Sequence, residues 1–118
     1  MTHELTMGED GILRLSFIGD IGPEDVDAYV EELSPFLDGA TAENPLRILS
    51  FSGREGKISA VARKTFAQLN EDSRMGKVAI LGGNRFTRVM TTIILKATGR
   101  QNIRFFGTET EAMEWLKE

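Results

Sequence analysis

Apolar residues recur along this chain with two periods, and the points where the period changes divide it into alternating strands and helices. Two short β-prone runs come first, residues 3–7 and 12–18, separated by Gly8, Glu9, Asp10 and Gly11, which is the signature of an antiparallel hairpin. Residues 20–23 make a turn, and Pro23 suits the first turn of a helix reaching Asp38, with Val26, Tyr29, Val30, Leu33 and Leu37 as its apolar stripe. Pro35 falls inside that helix and predicts a kink or stop near Ser34.

The second half continues the alternation. Residues 46–51 read as a buried strand, residues 52–57 as a loop, and Ser59 as the N-cap of a helix turning Ala62, Phe66 and Leu69 inward. Residues 73–76 form a turn, and Val78, Ala79, Ile80 and Leu81 are a continuous apolar run of the kind found in a central parallel strand covered on both faces. The next helix, residues 85–98, predicts a core stripe of Phe86, Val89, Met90, Ile93, Ile94 and Ala97, with Gly99 closing it. Leu95 projects away from that stripe beside Thr91, and the pair is the predicted partner contact. Ile103 to Phe106 then form a last strand, ended by Gly107. Thr108 and Glu111 cap a final helix that carries Ala112, Trp115 and Leu116 on one face.

This order, ββαβαβαβα, predicts an α/β fold with a mostly parallel five-stranded sheet and an antiparallel N-terminal hairpin. At 118 residues the chain reads as a single domain, 1–118, large enough for its own core. There are no cysteines, which removes disulfides, thiolate nucleophiles and zinc–thiolate sites and fits a cytoplasmic location. A histidine and a glutamate among the first four residues, with no apolar run of seven, argue against a secretory signal. No stretch approaches the ~20 apolar residues of a membrane span.

The net charge of −4 is unevenly distributed. Residues 54–104 carry 11 Lys/Arg against 3 Asp/Glu, a net +8, whereas the remainder is −12. Seven acidic residues and no basic one lie between Asp20 and Asp38. Such segregation either is solvated surface or steers a protein partner, a second copy of the chain included, toward a homodimer.

The opening pair hinged by glycines, the turn from Leu81 to Asn84, and above all Phe105-Phe106 followed by Thr108, Glu111, Ala112, Trp115 and Leu116 resemble the SpoIIAA-like proteins. These belong to the STAS/Sec14-related class that includes anti-sigma factor antagonists. The resemblance spans essentially the whole chain and implies a STAS-like fold with a regulatory, non-catalytic role. In anti-sigma factor antagonists the phosphorylated hydroxyl follows an Asp-Ser-Ser or Asp-Ser-Thr-Gly element at the start of the second helix. Here that passage reads Ser50-Phe51-Ser52-Gly53 and continues to Ser59; the acid is missing and the loop is longer. Ser59 keeps the topological place and is the candidate phosphorylation site, although a capping role accounts for it fully. Arg54, Lys57, Arg63 and Lys64 lie close in sequence.

The candidate anion or ligand site is the turn Gly82, Gly83, Asn84 and Arg85 with Arg88 one turn on, because open α/β sheets bind ligands at strand carboxyl ends and helix N-termini. It matches neither the dinucleotide fingerprint nor the P-loop. His3 is the sole histidine, so neither a transition-metal set nor a Ser-His-acid triad assembles from the usual residues. Asp20, Glu24 and Asp25 suit the entry of the first helix. The phenylalanines, Phe51 and Phe86 among them, fall in apolar runs and leave no stacking platform for nucleic acid. No catalytic residue, metal or cofactor is predicted. The chain reads as a regulatory or protein-interaction module; the alternative is a carrier of a small anionic or lipidic ligand in the strand-end crevice.

Overall fold

Asp10 shows how local chemistry starts the fold: its carboxylate accepts the Ile12 N–H at 3.1 Å and two Arg14 nitrogens at 2.6 and 3.0 Å, while Gly11 takes a φ of +78° beside it. In the computed structural model, which describes residues 2–118, this turn joins β1 (Thr2–Met7) to β2 (Ile12–Ile21) as an antiparallel pair. β3 (Leu46–Phe51), β5 (Met75–Leu81) and β6 (Ile103–Phe106) then add in parallel, giving the five-stranded path β1-β2-β3-β5-β6.

A sixth strand lies off this path. β4 (Glu55–Ile58), expected to belong to a loop, pairs in parallel with the far end of β2 at Gly19 and Ile21. β2 pairs with β3 only through Ser16, so its last residues overhang and leave backbone groups in need of partners. The Gly19 N–H donates to the Arg54 carbonyl and the Ser59 N–H to the Ile21 carbonyl, each at 3.0 Å. Four residues reading Glu-Gly-Lys-Ile carry no alternation from which such a strand could be read.

Three helices cover one face of the sheet: α1 (Pro23–Asp38), α2 (Ala60–Glu71) and α3 (Arg85–Thr98). α1 and α2 bury Val26, Tyr29, Leu33, Leu37 and Ala62 against Leu13, Leu15, Phe17 and Ile48. Phe17, Tyr29 and Phe66 pack as a ring cluster with centroids 5.0 to 5.8 Å apart. α1 does not stop at Ser34. Pro35 is exposed, so the carbonyl it leaves unbonded can meet water, and buried Leu37 holds the last turn to the sheet.

α4 (Glu109–Lys117) alone covers the opposite face, burying Ala112, Trp115 and Leu116 against Ile12, Leu49 and Ala79. Thr108 caps it by accepting the Glu111 N–H. At its other end Lys77 and Arg47 donate to the carbonyls of Trp115 and Leu116 at 2.9 and 3.1 Å, placing cations at the negative end of the helix.

α3 is rotated from its expected orientation. Its buried residues are Thr87, Thr91 and Ile94, whereas Val89 is 54% and Ile93 38% exposed. The amphipathic stripe is therefore only half used, and the first turn bears inward on Thr87, described below. Thr91, expected on the outside as a partner contact, is buried, and Leu95 beside it is half-buried. Phe51, expected in the core, is 40% exposed at the end of β3.

Candidate functional site

The carboxyl ends of β3 and β5, the short β4 and the N-terminus of α3 meet at one edge of the sheet. Gly82 and Gly83 adopt φ values of +81° and +111°, a region that favours glycine. A Cβ on Gly83 would also come within 2.8 Å of the Phe105 ring. The turn thus needs both glycines for its own geometry. Asn84 is the N-cap of α3: its side-chain oxygen accepts the Thr87 N–H at 3.1 Å, and its amide donates to the Glu55 carbonyl at 2.8 Å. Arg88 lies over Phe105 at 4.5 Å and Arg85 over Phe86 at 5.0 Å, so the two guanidiniums rest on different rings. Of the predicted anion-site residues, Arg85 faces a groove and Asn84 and the glycines build the turn.

Behind that turn lies a polar cluster that the sequence did not signal. Glu55 is 8% exposed. Its Oε1 accepts hydrogen bonds from the hydroxyls of Ser52 and Thr87, and the Gly53 N–H bridges Oε1 and Oε2 at 3.1 Å each. Burial pushes the Glu55 carboxyl up, but the hydroxyl and N–H donors together hold it below the usual carboxylate range. Among the described residues no cation forms an ion pair with it. Thr87 sits at a position the apolar stripe skips, and its bond to Glu55 goes with the orientation of α3. A lone acid in Ser-Gly-Arg-Glu carries no motif, and its partner is 32 positions away, so only the path of β4 unites them.

Glu55, Ser52 and Thr87 border a cavity of about 90 Å³ between the sheet and α2–α3. Its other walls are mostly apolar, with Phe17, Ile48, Ile80 and Ile94 among them, while Tyr29, Ser50, Thr91 and Asn70 add polar groups. Asn70 is satisfied by mutual hydrogen bonds with Asn102 at 2.8 and 3.1 Å.

Outside this cavity, sharing Ile58 and Met90 with it, a groove of about 200 Å³ runs between α2 and α3. Arg63, Arg85, Phe86 and Val89 complete its lining. Exposed Val61 lies on α2, and exposed Val89 and Ile93 lie on α3. Ser59, half-buried, caps α2 by accepting the Ala62 N–H at 3.1 Å, and its neighbours Arg54, Lys57 and Lys64 are exposed. On α1 the exposed Glu24, Asp27, Glu31 and Glu32 make the acidic counterpart.

His3 hydrogen-bonds Glu32 and packs against Phe17 and Tyr29. Among the described residues, no group of three His, Cys, Asp or Glu is placed to hold a metal ion. None of their helices is long and apolar enough to cross a membrane.

The SpoIIAA-like family model matches residues 12–117. An uncharacterised DUF3478 protein with a SpoIIAA-like fold from Shewanella loihica PV-4 is similar over 98% of this chain and 92% of its own, with 20% identity and a TM-score of 0.70. An anti-sigma factor antagonist from Mycobacterium paratuberculosis is similar over 99% and 94%, with 14% identity and a TM-score of 0.65. The anti-sigma factor antagonist SpoIIAA in its unphosphorylated form is similar over 98% of both chains, with 12% identity and a TM-score of 0.66. At these identities the structures establish the shared fold. No curated protein matches the sequence.

Proposed function

The chain belongs to the SpoIIAA-like family, and from that premise we propose that it is a non-catalytic regulatory module that docks a protein partner on the face formed by α2 and α3. The observation that carries this reading is the exposure of Val61, Val89 and Ile93 on neighbouring helices, at positions where the helical period would otherwise have buried Val89 and Ile93. Apolar side chains left outside by a helix with a polar inner face are available to another surface. Arg63 and Arg85 share the groove with Val89, and Lys64, Arg88 and Lys96 lie on the same two helices, so the partner surface that fits is apolar with acidic groups beside it.

Two structural relatives are anti-sigma factor antagonists, which supports a protein as the partner. Ser59 is beside Ile58 at the edge of the groove, and phosphorylation there would add negative charge next to Arg63. Such a change would weaken the attraction to an acidic partner. The lack of cysteine suits a reducing compartment, and a cytoplasmic location is part of this reading. The chain's own acidic α1 is one surface of the required sign, which makes a homodimer the second form of the same reading.

The test is affinity purification of the tagged protein from its own cells, beside a Val89→Asp, Ile93→Asp variant with an unchanged circular dichroism spectrum. A partner held by the parent and lost by the variant supports the proposed face. A partner held equally by both moves the interface elsewhere.

A further inference from the structure

The cavity beneath the groove presents a problem of unbalanced chemistry. Its walls are mostly apolar, with Tyr29, Ser50 and Thr91 in the lining besides Asn70 and the Glu55 cluster, and Asn70 has its hydrogen bonds met by Asn102. At the other end a buried carboxylate has no cation beside it among the described residues. Its two oxygens are treated unequally. Oε1 takes both hydroxyl donors and one arm of the Gly53 N–H, whereas Oε2 takes the other arm of that N–H and no hydroxyl, with the Glu55 backbone N–H also close to the carboxylate. A carboxylate offers about four lone-pair sites, so Oε2 retains acceptor capacity at the border of a largely apolar pocket.

We propose that this cavity is a binding site for a short-chain primary amine, whose alkyl part fills the apolar space and whose ammonium group donates to Glu55. An ammonium has three donors and supplies a positive charge that no side chain among the described residues provides here, and a charge-assisted bond to a carboxylate is stronger than a neutral one. An alcohol of the same length offers one donor and no charge. A carboxylate ligand would set two anions face to face, so the anionic class expected for the strand-end crevice is excluded from this cavity. The 90 Å³ available is less than the ~150 Å³ of an apolar cavity that holds benzene, which limits the alkyl part to about four carbons unless Ile58 and Met90 part. Nothing in this site depends on a protein partner at the groove.

The test uses n-butylamine, n-butanol and sodium n-butyrate at neutral pH, titrated into the full-length protein with methyl and amide NMR as readout. n-Butylamine should move the methyl signals of Ile48, Ile80 and Ile94 and the Gly53 amide, with an affinity about tenfold above that of n-butanol, and butyrate should move none of them. In Glu55→Gln, which keeps the size and the acceptor oxygen, the advantage of the amine over the alcohol should vanish. Butyrate shifting the same methyls as strongly as the amine overturns the proposal. So does the absence of any shift with all three compounds, or an amine preference that survives in Glu55→Gln. Should that variant fail to fold, the ranking of the three compounds on the parent protein decides alone.

Discussion

Thr87 Oγ1 donates a hydrogen bond to Oε1 of Glu55, tying the first turn of α3 to β4 across 32 positions of sequence. This bond joins two departures from the expected fold: the β4 segment paired at the end of the sheet, and an α3 that buries Thr87 and Thr91 while Val89 and Ile93 are exposed. Removing it without adding bulk, as in Thr87→Val, leaves a buried carboxylate short of a donor and should cost about 2 kcal/mol in urea unfolding at neutral pH.

Acid should reduce that cost. Hydrogen bonding keeps the folded-state pKa of Glu55 below its ordinary value, so the stabilisation is full above the ordinary carboxylate range and fades as pH falls through the lowered value. Asp10 and Asp72, held at about 2 by hydrogen bonds from Arg14 and Arg74 respectively, carry the same sign and extend the loss to lower pH. Urea midpoints measured from pH 7 down to pH 3 should fall steadily for the parent, and the gap to Thr87→Val should narrow. A gap that widens on acidification would contradict an ionised Glu55.

The orientation of α3 sorts three substitutions into two classes. Val89→Asp and Ile93→Asp lie on the exposed side and should each change stability by within about 0.5 to 1 kcal/mol. Ile94→Asp places a charge in the cavity wall and should cost about 3 kcal/mol or more, or prevent folding. Thermal melts of the three proteins check the ordering; equal losses at positions 89 and 94 would restore the symmetric stripe.

Trp115, 7% exposed, packs on Phe106 with ring centroids 5.5 Å apart and lies beneath Lys77 and Arg104. Trp115→Ala should cost about 3–5 kcal/mol, since α4 is the sole helix on its face among the described elements. Because Trp115 is the only tryptophan, the comparison needs far-UV circular dichroism instead of intrinsic fluorescence. A loss below about 1 kcal/mol would mean that α4 is not docked as a core element.

Self-association should depend on salt. If acidic α1 of one copy meets the basic α2–α3 face of another, a two-fold pair repeats the contact twice. Light scattering should then give a dimer mass in low salt that falls toward the monomer as ionic strength rises, with Val89→Asp shifting the equilibrium to monomer at every salt concentration. A monomer at micromolar concentration in low salt rules the pair out.

What the sequence determined by itself is everything that a few neighbouring residues decide together. Ser59, Asn84 and Thr108 start helices because each side chain reaches an N–H three residues on. Gly99 ends α3 because it tolerates a left-handed φ of +67°, and the apolar runs at β3 and β5 declare their burial by composition. The family pattern around Phe105, Phe106 and Trp115 was legible for the same reason, being one strand, one cap and one helix face in close succession. The tertiary structure alone decided the rest. β4 exists because β2 overhangs β3, and Glu55 meets Thr87 because β4 carries it there. Thr91 is buried on the same side of its helix as Thr87, the residue that makes that contact. Each of these rests on a pairing between residues far apart in the chain, and a periodic pattern states how apolar a face is without stating which polar group on another element will compete for the inside.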